Sequence, residues 1–252
     1  MEKLDEQEKE KQPNIKAIES KKVRKQSTKF KDSNRRIKIL KIALVSMLMI
    51  LIFLYFILRI VYDTGRFTVI LDSVSDVEAM IIMYERKGIK TSRRKLRADA
   101  LDFMTNISGE WIPEDIDSSS DGGANNGDNY IAYTFFIENA GDEILHYWYE
   151  IDIDDIIKDV DEAIRVAVYL NGNKTVYAKK NKTTSQPEKD TVPFKNGEKV
   201  MLEKRELFKP GEVDKFTIVI WIEGDDPECI DDLIGGEMKM HMVITEEHIE
   251  QK

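Results

Sequence analysis

The sequence predicts a mainly β protein: an extracellular antiparallel β-sandwich preceded by one transmembrane α-helix and a disordered cytoplasmic tail. Three observations carry that prediction: a long apolar run, a change in the sign of the charge across it, and a series of short strand patterns after it. They divide the 252 residues into a tail, 1–38, a signal-anchor helix, 39–62, and an outer domain, 63–252.

The run at 39–62 reads ILKIALVSMLMILIFLYFILRIVY and is apolar on every helical face, the signature of a buried core helix or a membrane span. No comparably apolar partner surface exists elsewhere in the chain, which favours the span. Its uncharged centre, 42–58, holds 17 residues. Lys41 and Arg59 extend the usable length by snorkelling, and Tyr62 supplies an interfacial aromatic, so these three residues read as the membrane anchor. A cleaved signal peptide fits less well, because the apolar run exceeds the usual ~7–15 residues and no small-x-small pattern follows.

The formal net charge of −9 conceals an asymmetry. Residues 1–38 carry 13 basic and 7 acidic side chains (+6), 39–62 carry +2, and 63–252 carry 23 basic against 40 acidic (−17). Basic residues crowd one flank of the span, so the positive-inside rule places the tail in the cytoplasm and the outer domain on the far side. The tail has few apolar residues and no periodicity, so we expect it to be disordered. Its lysines and arginines suit anionic lipid heads, at about 1 kcal/mol per residue near the surface. The acidic balance argues against a nucleic-acid partner.

The outer domain reads as strands. Residues 129–138 combine β-branched and aromatic side chains, with Ile131, Tyr133, Phe135 and Ile137 on one face. Residues 144–151 form a second strand after a turn at 139–142. Residues 163–170 alternate Ile164, Val166, Val168 and Leu170 against Arg165, Ala167 and Tyr169; Asn171 and Gly172 accept positive φ, and 174–178 returns, giving a two-residue hairpin. Residues 216–222 are almost continuously apolar and suit a sheet centre. Residues 237–245 alternate Met238, Met240, Met242 and Ile244 with Lys239, His241 and Val243. Shorter candidates lie at 67–71, 79–84 and 199–204, and a short helix at 154–162. Segments 86–128 and 179–198 read as loops or insertions. The pattern predicts roughly 8–10 strands in a sandwich.

Acidic clusters are the candidates for chemistry. The segment 221–237 gathers Glu223, Asp225, Asp226, Glu228, Asp231, Asp232 and Glu237, and calcium needs oxygen ligands of this kind. Asp225, Asp226, Asp231 and Asp232 are the expected ligands if calcium binds; the alternative is a solvated, helix-capping turn ended by Gly235. In a second loop, Asp117, Ser119, Asp121, Gly122 and Asp128 match a calcium-loop template loosely, with no flanking helices. His146, His241 and His248 lack metal spacing. No phosphate-binding, Ser-nucleophile or paired-carboxylate pattern is present, so we expect no catalytic residues, no required cofactor and no enzyme. The single Cys229 excludes an intrachain disulfide and reads as a small core residue before Ile230. Arg86, Lys87, Lys90, Arg93, Arg94, Lys95 and Arg97 form a basic stretch. It reads as a neutraliser of the acidic loops or as a docking face for a surface protein or anionic envelope polymer.

Four strings together carry a family likeness: NYIAYTFFIEN at 129–139, RVAVYLNG at 165–172, FKPGE at 208–212 and WIEGDDPEC at 221–229. They resemble surface proteins of Gram-positive bacteria built on a single β-sandwich, broadly of the camelysin and biofilm-fibre type. That resemblance implies a protein that coats cells or assembles on them. Some members carry a metallopeptidase label, but no catalytic residues match here. The sequence expectation is therefore a single-pass, membrane-anchored surface protein displaying its domain for structural or binding work. The alternatives are a calcium-dependent adhesion or assembly module and an envelope hydrolase or peptidase.

Overall fold

The structure, a computed structural model, describes residues 19–22, 24, 35, 37–58, 67–72, 80–88, 91–99, 101, 103–118 and 121–248. The chain divides into two units, Met1–Asp63 and Thr64–Lys252. In the first, one helix, α1 (Ile37–Leu58), is long and apolar enough to cross a membrane. None of that span is buried. Leu44, Leu48, Phe53 and Phe56 all face outwards, as a helix greasy on every side must when no protein surface covers it. Lys41 lies on α1, exposed, while Arg59 and Tyr62 fall outside the described residues. The tail differs from its expectation, since residues 19–22, 24, 35, 37 and 38 are helical; Glu19 and Lys22 stand at the i, i+3 spacing that supports a turn of helix.

The second unit is built from twelve strands: β1 (Thr68–Asp72), β2 (Ile81–Tyr84), β3 (Lys95–Arg97), β4 (Gly123–Ala124), β5 (Tyr130–Asn139), β6 (Leu145–Ile157), β7 (Ile164–Leu170), β8 (Asn173–Ala178), β9 (Val192–Pro193), β10 (Lys199–Phe208), β11 (Val213–Ile222) and β12 (Glu237–His248). They make two sheets. One has five strands in the order β10-β6-β12-β1-β3; the other has seven, ordered β2-β5-β11-β7-β8-β9 with β4 also on β5. Pairing is antiparallel except for β1 with β12 and β8 with β9. The expectation of antiparallel pairing throughout misses both β1 and β9. The first strand reaches across the unit to lie beside the last, a non-local pairing that short-range turn signals do not encode.

Alternate residues of both sheets enter one apolar cluster. It includes Val69, Leu96, Tyr147, Ile151, Met242 and Ile244 from the five-stranded sheet and Met83, Phe135, Ile137, Val166, Ile218 and Phe216 from the other. Phe216 is its hub: it stacks on Phe135 at 5.2 Å between centroids and meets Tyr149 edge-on at 5.3 Å. Burying such a side chain stabilises by about 1.5–3 kcal/mol. Polar ties join the sheets as well. Tyr147 donates to Asp214 at 2.6 Å, and Glu246 of β12 accepts the Ile81 backbone N–H at 2.7 Å.

The seven-stranded sheet is buried on its other face too. Ile107, Ile112 and Ile116 pack over Ala132, Ala167, Tyr169, Val219 and Trp221. Segment 103–118, which reads as a loop in the sequence, is therefore a cover that hides what alternation predicts to be a solvated face. The helix expected at 154–162 is not formed. β6 continues to Ile157, paired beyond Asp152 with β12 alone, and only the 3-10 turn Val160–Glu162 follows. Ladder pairing with β12 outweighs the weak local helical preference.

Candidate functional site

The acidic turn after β11 is anchored from beneath. Arg165, on β7 opposite Trp221, is buried, and its guanidinium pairs with Asp226 Oδ2 on a side chain with no exposed surface. Asp226 Oδ1 accepts the Glu228 N–H at 2.8 Å, closing an Asx-type turn. Glu223 accepts from Trp221 Nε1 at 3.0 Å and from the Gly109 N–H at 3.1 Å, which fastens the cover segment to the turn. Two of the acidic side chains are thus committed to holding the fold.

Of the four expected calcium ligands, the structure brings only Asp226 into a cluster. Asp225 is exposed, and its N–H donates to Glu223 at 3.2 Å. Asp231 and Asp232 are exposed on the 3-10 turn Asp231–Leu233, which has no side-chain cap, and Gly235 follows at φ +75°. Asp226 instead meets Glu188 and Glu228: one carboxylate oxygen from each lies within 4.8 Å of the other two. Glu188 comes from the 179–198 segment, and no spacing rule links it to residue 226. That segment folds onto the turn through the Lys182 N–H, which donates to Glu228 Oε1 at 2.7 Å. Asn181 caps its tip by accepting from the Thr184 N–H at 2.8 Å.

The second acidic loop has a structural use. Asp117 accepts from Thr217 Oγ1 at 2.6 Å and pairs with Lys215 at 3.1 Å, while Ser119 lies outside the described residues. Gly122 is explained by crowding, since a Cβ there would fall 1.6 Å from the Glu85 carbonyl oxygen. His146 Nδ1 accepts the Leu207 N–H at 2.9 Å, and His241 sits 2.9 Å from Asp154. Cys229 is half-buried and free, and Ile230 beside it is exposed rather than in the core. Burial pushes the Cys229 thiol up, Asp226 and Glu223 add to this, and a hydrogen bond with Asn106 opposes it. The thiol is thus a poor nucleophile.

Arg86, Lys87, Arg93, Arg94, Lys95 and Arg97 are exposed, and Lys90 lies outside the described residues. Elsewhere Lys179 pairs with Asp161 and Glu162, Lys199 with Glu150 and Asp152, and Lys215 with Asp117, while Lys174, Lys195 and Lys209 take part in no described ion pair. The six of the basic stretch also take part in none, so the neutralising role has no support in direct contacts.

No protein-family model and no curated protein matches the chain. A solved beta-glucosidase from Kluyveromyces marxianus, in complex with glucose, is similar at 12% identity over 68% of this chain and 15% of that one. Its TM-score of 0.23 is too low to support an argument about fold or activity.

Proposed function

We propose that the protein is a single-pass membrane protein that displays its two-sheet unit, packed as a β-sandwich, outside the cell for structural or binding work. The observation that carries this reading is α1, twenty-two residues with no buried surface. Such a helix in water exposes a large apolar area that only a lipid or protein partner removes. The charge asymmetry supports an inward tail, since the tail and the helix flank are basic and the 63–252 region is strongly acidic. The tail's cations then lie against anionic lipid heads.

For binding work, the basic stretch on and beside β3 suits an anionic envelope polymer. In a region with 40 acidic side chains, six exposed cations gathered between residues 86 and 97 concentrate positive charge locally, which favours an anionic partner. Alkaline carbonate extraction tests the anchoring. The full chain is expected to stay in the membrane pellet, and deletion of 37–58 to release a soluble domain. Extraction of the full chain by carbonate would sink the proposal.

A further inference from the structure

From the Glu188–Asp226–Glu228 cluster we infer a site for a hard divalent cation, calcium by preference, which staples the 179–198 segment to the turn after β11. Two separate observations meet there. The first is convergence: an oxygen from each of three carboxylates lies within 4.8 Å of the others, although the residues come from two segments distant in sequence. The second is what those carboxylates lack. Glu188 Oε1 and Glu228 Oε2 are both enclosed, each with less than 1 Å² of exposed surface, and neither accepts a hydrogen bond. An enclosed carboxylate oxygen without a donor carries its full desolvation cost. Arg165 pairs with Asp226, and no described ion pair reaches Glu188 or Glu228. A divalent ion supplies the missing charge to both glutamates at once.

The donor set selects the ion. All three ligands are carboxylate oxygens, which suit hard cations rather than thiolate- or imidazole-seeking metals. Calcium takes about six to eight oxygens in loose geometry and completes its shell with water, whereas magnesium demands a near-octahedral arrangement. With three protein carboxylates the affinity belongs to the weak class, on the order of 10⁻⁴–10⁻³ M, suited to a calcium-rich exterior. Glu188 also borders an open cleft of 680 Å³ walled by Lys174, Val176 and Thr191. Lys182 already fastens Glu228 through its backbone, so the ion completes a latch rather than building one.

The site is independent of the anchoring proposal, and its test uses the full chain in detergent micelles, stripped with chelator and titrated with calcium chloride. In about 10 mM calcium the melting temperature is expected to rise by roughly 3–10 °C. Calorimetry is expected to give one ion per chain. Glu188→Gln and Glu228→Gln each remove the rise, while Asp225→Asn, which removes a charge from the same turn outside the cluster, keeps it. Because each glutamate lies on a loop outside the ladders, the two variants check one another, and the titration of the unaltered chain needs neither. Three results would overturn the site: no calcium response in the unaltered chain, a response that survives Glu188→Gln, or an equal response to magnesium that both variants retain. A chain stabilised by mild acid but indifferent to calcium would show that a shared proton, not a cation, joins the two glutamates.

Discussion

Arg165 shows how much one residue can depend on a distant segment. By alternation it belongs to the outward face of β7, and the sequence gives no reason to bury a guanidinium there. The structure buries it beneath the turn after β11, paired with Asp226. A buried charge that loses its partner costs more than the pair contributes. Asp226→Asn is therefore expected to destabilise the second unit by about 3–5 kcal/mol, read as a lower urea midpoint. The conservative change at exposed Asp225 should leave the midpoint unchanged in the absence of calcium. The tyrosines give a second prediction. Burial first, then hydrogen bonding to Glu138 for Tyr84 and the nearby Glu203 charge for Tyr149, push both up to about 12. Tyr133 and Tyr147 are raised further by burial and by their bonds to Glu85 and Asp214. A tyrosine raised in the folded state releases its proton more readily when unfolded, so its contribution is intact below the ordinary value of 10 and is lost above it. Stability should hold flat as pH approaches 10 and fall between pH 10 and about 12, with tyrosinate absorbance appearing together with loss of far-UV strand signal. Tyrosinate formation well before unfolding would contradict these buried positions.

At the scale of elements, local chemistry was most readable where it acts alone. The β7–β8 hairpin forms with Asn171 at φ +51° and Gly172 at φ +87°, the positive angles that the Asn-Gly pair predicts. Gly172→Ala should cost about 1 kcal/mol or more in chemical denaturation, since an alanine is strained there. Gly122→Ala should cost more, because its Cβ collides with the Glu85 backbone, whereas Gly197→Ala, with nothing within 4 Å, should be neutral. The apolar run of β11 was also legible, and it lies between β5 and β7 as a central strand must. What stayed hidden was everything decided by distant neighbours. The extension of β6 through Asp154 and Asp155 needs β12 on its edge, and the cover role of Ile107, Ile112 and Ile116 needs the sheet beneath them. The convergence of Glu188 on Asp226 and Glu228 stayed hidden for the same reason, because Glu188 arrives from a segment with no periodic signal.

For the whole molecule, composition and charge carried more of the expectation than any motif. The net −9 dissolves into a basic tail, an apolar run and an acidic region after it; α1 lies in the apolar run and the strands follow it. Within the second unit, Phe216 links both sheets through Phe135 and Tyr149. Phe216→Ala is expected to lower its stability by about 3–5 kcal/mol in a single cooperative transition, measured by near-UV dichroism on melting. The anchored orientation is the central claim, and epitope tags at the two ends test it most directly. On intact cells, antibody should reach a C-terminal tag, and should reach an N-terminal tag only after the membrane is permeabilised. An N-terminal tag open to antibody on intact cells, or a C-terminal tag closed to it, would contradict the account.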